Sequence, residues 1–113
     1  AWGTESLPIN DFSEYLKGFL VLELLGNYHG RPPEVLFIDF KGRRTSLVNL
    51  APFLPKDKVQ TGVVVKVPIE KFFGNDPEFY PADPSAIKTI QFDTEYSSIR
   101  GKLSISRIEI SKE

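Results

Sequence analysis

The sequence of 113 residues contains no cysteine, no methionine and a single histidine, His29. Without cysteine the chain cannot form a disulfide, a thiolate metal site or a cysteine nucleophile. With one histidine it cannot build a multi-histidine metal site or use a pair of catalytic histidines. The supply of nucleophiles and bases is therefore thin, and we do not expect an enzyme.

An excess of one charge and a long apolar run are also missing. The net charge is −1, which gives no bulk attraction for nucleic acid or anionic lipid. No apolar run approaches the roughly 18 residues that a membrane span needs. The length suits one domain, and the chain starts at Ala1 rather than at a methionine. We therefore expect residues 1–113 to form a single domain that was processed or excised from a longer chain.

Apolar residues recur mostly with a period of two, which indicates β-strands. Four runs rich in β-branched or aromatic residues show this alternation, at 16–25, 34–41, 60–68 and 87–95. Each run is bounded by Gly, Pro or Asn, which favour turns. These runs predict four strands.

Three further segments join the predicted strands. Residues 45–50 follow a glycine turn and complete a hairpin over 34–50. Residues 101–112 shift their apolar parity near Ser106 and Arg107, which predicts a β-bulge because a one-residue slip would turn the apolar set outward. Residues 1–9 are expected to add an edge strand.

Helix is scarce in this pattern. Residues 69–73 have the spacing of one helical turn, and residues 10–16 predict another, capped by Asn10 or Asp11. Residues 74–85 carry three prolines and no period, which predicts a loop. The sequence therefore predicts an all-β fold, an antiparallel β-sandwich with one or two short helical turns.

Polar residues alternate with the apolar ones along the predicted strands. If these strands share a sheet, five polar residues fall on one face: Glu23, Asp39, Lys66, Gln91 and Asp93. Four apolar residues have the same parity: Phe19, Val21, Phe37 and Val64. Sugar rings offer C–H faces to aromatic rings and hydroxyls to carboxylates and amides, so this mixture suits a sugar-binding surface. The alternative is a solvated face, or one covered by another segment or domain.

Aromatic residues near the strand ends extend the candidate site. Tyr28 and His29 are predicted in a loop between glycines, and Tyr96 follows the fourth run. Each is either a plain loop residue or a contact to a ligand. The predicted carbohydrate-binding residues are Phe37, Asp39, Gln91, Asp93, Tyr96, Tyr28 and His29.

Metal and cofactor motifs are weak. No calcium loop of the DxDxDG type and no glycine-rich phosphate-binding pattern occurs. Residues 74–76 are acidic enough for calcium, but turns without metal have the same composition. We expect no cofactor, and the sequence leaves open whether the domain binds a structural calcium ion.

Three segments in the second half carry a family resemblance. Residues 65–72, 83–92 and 101–110 read VKVPIEKF, DPSAIKTIQF and GKLSISRIEI. This order resembles the C-terminal half of galactose-binding-like jelly rolls, among them the carbohydrate-binding modules of glycoside hydrolases. Residues 1–3, 11–23 and 46–54 are similar to the non-catalytic C-terminal domain of bacterial exo-acting β-glucan hydrolases.

The resemblance implies a jelly-roll sandwich that binds a polysaccharide or oligosaccharide without cleaving it. It also implies a secreted, periplasmic or cell-surface location beside a catalytic domain or partner protein. A second hypothesis is a structural or protein-interaction domain accessory to a glycoside hydrolase or secreted assembly. No nucleic-acid partner is expected.

Overall fold

The computed structural model describes residues 3–29, 34–54, 63–73, 78–93 and 100–113. These residues form seven strands: β1 (Gly3–Ser6), β2 (Phe19–His29), β3 (Glu34–Asp39), β4 (Val48–Asn49), β5 (Val63–Pro68), β6 (Ile87–Asp93) and β7 (Arg100–Ser111). The order β1-β6-β3-β4 makes one sheet, called sheet A, and β5-β2-β7 makes sheet B. Neighbouring strands are antiparallel in both sheets. The predicted antiparallel β-sandwich is confirmed.

The core lies between the two sheets. The central core cluster takes alternate residues from both: Leu20, Leu22, Leu24, Val65, Val67 and Ile110 from sheet B, and Val35, Phe37, Val48, Ile87, Ile90 and Phe92 from sheet A. The connecting segments add the remaining members, which are Phe12, Leu50, Ile69, Phe72 and Ala82. This is the burial of one side-chain parity per strand that a sandwich requires.

The predicted bulge is present in β7. Arg107 lies opposite Glu23 of β2, whereas Ile105 lies opposite Leu24, so Ser106 is the extra residue. The bulge restores the inward parity of Ile105 after the shift in the pattern. The predicted edge strand is also confirmed, because β1 pairs with β6 at the edge of sheet A.

Strand lengths differ from the predictions where pairing extends or stops. β2 runs to His29 because it pairs with β7 as far as Arg100, so Tyr28 and His29 lie in a strand rather than in the predicted loop. The second strand of the predicted hairpin is only Val48–Asn49, and it does pair with β3. The hairpin turn contains Gly42 at φ 80°, a backbone conformation that favours glycine.

Helical structure is limited, within the described ranges, to two 3-10 turns at Ala51–Phe53 and Ile69–Lys71. The second confirms the turn predicted after Pro68. None of the described helical segments is long and apolar enough to cross a membrane.

The helical turn predicted at residues 10–16 is wrong. Two successive turns stand there, in which Tyr15 N–H donates to Phe12 O and Gly18 N–H donates to Tyr15 O, each at 2.8 Å. Asp11 Oδ1 accepts from the backbone N–H of Ser13 at 2.9 Å. This local bond offers the backbone an alternative to helix.

Gly18 stands where β2 begins beside the end of β7. A Cβ at this position would come within 1.9 Å of the carbonyl oxygen of Ser111. Gly18 O also accepts a bond from Ile69 N–H at 2.9 Å, which fixes the chain there. Only glycine fits this close approach.

Candidate functional site

Phe37 does not lie on an outer sheet face. Its side chain is 0% exposed, and its ring packs against Phe12 and Phe72 with centroid distances of 5.0 and 4.7 Å. The prediction that this ring is exposed and stacks on a sugar is therefore wrong. Residues 35–38 are apolar on both sides of the strand, so the alternation did not show which side is buried, and Phe37 lies on the side that faces sheet B. A ring enclosed in the core cannot stack on a sugar.

Asp39 is also buried, with 1% of its side chain exposed. Its Oδ1 accepts from the backbone N–H groups of Lys41 at 2.9 Å and Arg43 at 2.8 Å. Its Oδ2 accepts from Arg43 Nε at 2.8 Å and from the backbone N–H of Asp83 at 2.9 Å. The carboxylate therefore fastens the β3–β4 turn to the segment before β6. This corrects its predicted place on an open face.

Three aspartates, Asp39, Asp83 and Asp11, have a lowered pKa, which favours their charged form. Burial raises the pKa of Asp39, but the bonds from Asp83, Arg43 and Lys41 outweigh it and hold that pKa below its usual value. Hydrogen bonds from Ser85 lower the pKa of Asp83 in the same way. Ser13 lowers the pKa of Asp11.

The single polar face predicted from the sequence is divided between the two sheets. Glu23 and Lys66 belong to β2 and β5, which pair in sheet B. Gln91 and Asp93 belong to β6 in sheet A. The prediction of one shared face is wrong because period-two alternation fixes the two sides of a strand but not which strands become neighbours.

The outer face of sheet B mixes polar side chains with apolar ones such as the exposed Val64, and several of its polar side chains contact each other. Ser106 Oγ donates to Glu23 Oε1 at 2.7 Å, and the Arg107 guanidinium pairs with the Glu109 carboxylate. Lys66 Nζ lies 5.2 Å from the centroid of the Phe19 ring. A ligand on this face would have to displace these contacts.

The outer face of sheet A carries Gln91. Ile90 and Phe92, its neighbours in β6, are buried in the core as the alternation predicted. Gln91 lies between Thr4 of β1 and Leu36 of β3 in the sheet register. Its side chain is half-buried, and no hydrogen bond joins its amide to another described residue.

A row of polar residues crosses sheet A at one end. Glu34 of β3 lies opposite Asp93 of β6 on one side and opposite Asn49 of β4 on the other. Neighbouring strands are about 4.8 Å apart, so the row from Asp93 to Asn49 is about 10 Å long. Leu36 stands next to this row and is 1% exposed, although it lies outside the central core cluster.

Tyr28 and His29 lie in the other sheet. Tyr28 and His29 pair with Gly101 and Arg100 in sheet B. Tyr96 lies outside the described residues. Contacts from Tyr28, His29 and Tyr96 to a glycan therefore stay predictions.

A cleft at the β4 edge was missed by the sequence predictions. It has a volume of about 340 Å³ and is lined by residues 46–49, Pro52, Phe53 and Lys71. The proline three residues after the end of this short strand was the available signal, because it favours a rigid turn.

Metal ligands do not gather in the part of the chain that the structure describes. No group of three or more His, Asp or Glu residues is placed there to hold an ion. The predicted calcium position at 74–76 lies outside the described residues.

Comparison with known proteins identifies the family. The family model of carbohydrate binding domain 30 matches residues 2–112. No curated protein and no solved structure matches the chain. Because the match extends over nearly the whole sequence, the chain belongs to the carbohydrate binding domain 30 family and is a carbohydrate-binding module.

Proposed function

We propose that this module binds a polysaccharide chain on the outer face of sheet A. The observation that carries the proposal is the Gln91 amide, which lies on this face without a partner among the described residues. On the outer face of sheet B, by contrast, Glu23 bonds Ser106 and Arg107 pairs with Glu109. A glycan on sheet A can bond the Gln91 amide without breaking such a pair.

The chemistry of this face matches a sugar chain. The Gln91 amide both donates and accepts, and a carboxylate such as that of Glu34 accepts from hydroxyls. Ile38, which is partly exposed, adds apolar surface beside the polar positions. Each hydroxyl bond replaces a bond to water, so its net contribution is about 0.5–1.5 kcal/mol and the affinity is modest. Asp93 is retained as a proposed contact on this face, whereas glycan contacts from Tyr28, His29 and Tyr96 stay predictions that this face does not use.

The resemblance of the sequence to galactose-binding-like modules supports a finer proposal about fold and biological setting. We propose that the sandwich is a galactose-binding-like jelly roll and that the module stands beside a catalytic domain of a secreted polysaccharide-degrading system. It would hold that enzyme at its substrate and take no part in bond cleavage. The likeness to the C-terminal domain of exo-acting β-glucan hydrolases makes soluble β-glucans the first ligands to test, followed by galactans.

Gln91→Ala tests the proposed face directly. We expect it to weaken β-glucan binding about three- to tenfold in isothermal titration calorimetry, because one donor and one acceptor are lost. Lys66→Gln is the matched control on sheet B and should bind as the wild type does. A loss in Lys66→Gln with none in Gln91→Ala would place the ligand on sheet B. No binding by the wild type to any β-glucan or galactan at millimolar concentration would favour the protein-interaction hypothesis instead.

A further inference from the structure

The cleft at the β4 edge of sheet A has two fixed walls. On one side, Asn49 Oδ1 accepts from Ala51 N–H at 2.9 Å, and Phe53 N–H donates to Leu50 O at 2.9 Å. These bonds hold the 3-10 turn that carries Pro52. The wall is thereby set before any ligand arrives.

The opposite wall is held to β4 by Ser46. Its Oγ donates to the carbonyl oxygen of Lys71 at 3.2 Å, and its N–H donates to Phe72 O at 3.3 Å. These bonds join the segment just before β4 to the 3-10 turn after β5. A preformed cleft reduces the ordering cost that binding has to overcome.

The lining of this cleft suits one sugar unit. Pro52 and Phe53 provide apolar surface for the C–H face of a pyranose, and Asn49 Nδ2 and the Lys71 ammonium are donors for its oxygens. No carboxylate is among the lining residues. The volume of about 340 Å³ lies near the lower end of small-molecule sites.

The cleft is continuous with the polar row on sheet A. Asn49 lines the cleft and is also the last residue of the row that runs through Glu34 from Asp93. A chain lying along this row would cross the strands and arrive at the cleft after about 10 Å.

We propose that the cleft is the terminal subsite of the glycan path and receives the last sugar unit of a chain that crosses sheet A. This inference rests on the proposed function, because it extends the same binding face. The path then has a direction, across the strands from β6 towards β4. It also has an end at Phe53 and Lys71.

Chain length is the property that tests this subsite. Affinity should be measured for a ladder of soluble β-gluco-oligosaccharides of increasing length, with the wild type and the variants Phe53→Leu, Lys71→Gln and Gln91→Ala. Phe53→Leu keeps apolar packing but removes the aromatic face. Phe79→Leu and Lys66→Gln are matched controls, since Phe79 and Lys66 are exposed and do not line the cleft.

We expect the affinity of the wild type to rise with length until the cleft is filled. In Phe53→Leu and Lys71→Gln the affinity should stop rising at a shorter chain length. These variants should bind the longest oligosaccharides about three- to tenfold more weakly than the wild type does, and the shortest ones with the affinity of the wild type. Gln91→Ala should weaken binding at every length. Backbone amide NMR signals of Asn49 and Phe53 in the wild type should shift with the longer oligosaccharides only.

Other results separate the two proposals. If Gln91→Ala weakens binding but both cleft variants match the wild type at every length, and Asn49 and Phe53 do not shift, the terminal subsite is refuted and the sheet face stands. If the cleft variants lose affinity equally at all lengths and Gln91→Ala loses none, the cleft is a separate site and both proposals are wrong. Absence of binding by the wild type across the ladder also overturns both.

Discussion

The carboxylate of Asp39 accepts a hydrogen bond from the backbone N–H of Asp83, 44 residues further along the chain, at 2.9 Å. The same carboxylate accepts three bonds from Lys41 and Arg43 in its own turn. One buried acid thereby joins the β3–β4 turn to the segment that leads into β6. Both strands belong to sheet A, so this acid supports the sheet on which glycan binding is proposed.

Removing the Asp39 carboxylate should destabilise the fold. We expect Asp39→Ala to lower the free energy of unfolding by roughly 2–4 kcal/mol, because three backbone N–H groups and Arg43 Nε lose their acceptor. Asp39→Asn should lose less, since its remaining oxygen can still accept from Lys41 and Arg43. Urea unfolding measures both variants. Unchanged stability with lost glycan binding would return Asp39 to the binding site.

Stability should depend on pH in the acid range. The pKa values of Asp39, Asp83 and Asp11 are lowered in the folded chain, so the unfolded chain binds more protons once the pH approaches about 3.9, the usual value for Asp. The stabilisation is present above that value and is lost as the pH falls through the folded pKa values. We expect the free energy of unfolding to be nearly constant between about pH 7 and 5 and to fall below about pH 4. Asp39→Asn should show a shallower fall, and equal slopes would mean that Asp39 does not contribute.

Truncation of Phe37 should destabilise the fold as much as truncation of Phe92 does. Both rings are buried in the central core cluster, so Phe37→Ala and Phe92→Ala should each cost about 3–5 kcal/mol through lost transfer energy and the cavity left behind. Phe40→Ala is the control next to β3, because its side chain is 60% exposed and should cost little. Thermal unfolding of the three variants is the measurement. A mild effect of Phe37→Ala would contradict the burial of its ring.

Asp93 should act in binding rather than in folding. We expect Asp93→Ala to weaken glycan binding by about 1–3 kcal/mol, since a charged acceptor on the proposed path is lost. The melting temperature of the Asp93→Ala variant should stay close to that of the wild type. Calorimetric titration and thermal unfolding of the same preparation separate the two effects. Unchanged binding with a lower melting temperature would make Asp93 a structural residue.

Deleting the bulge residue should be tolerated. Without Ser106, Ile105 and Arg107 become neighbours, and they already face Leu24 and Glu23, which are adjacent in β2. We therefore expect the deletion to cost less than about 1 kcal/mol, chiefly through the bond from Ser106 to Glu23.

Deletion of Glu109 is the matched comparison for Ser106. It shifts one part of β7 out of phase, so that apolar residues turn to the outer face or Arg107 turns inward, and the chain should unfold or aggregate. Circular dichroism and urea unfolding distinguish the two deletions. Equal damage from both would mean that the bulge itself is required.

The sequence predicted single strands well where one parity is apolar and the other polar. In β6, Ile90 and Phe92 alternate with Gln91, so burial of one set followed directly from the pattern. The bulge at Ser106 was predictable for the same reason, because the apolar set must return to one face. In β3 the pattern failed, since residues 35–38 are apolar on both sides and the polar Asp39 suggested an outward parity.

The sequence by itself determined the strands, their turns and the side of most strands that is buried, because alternation is a property of neighbouring residues. Only the tertiary structure decided that Glu23 and Gln91 lie on opposite sides of the molecule, that Phe37 is enclosed by Phe12 and Phe72, and that Asp39 is satisfied by Asp83. These relationships join residues far apart along the chain. They depend on which strands become neighbours, and that choice is made by the packing of complete sheet faces rather than by any local pattern.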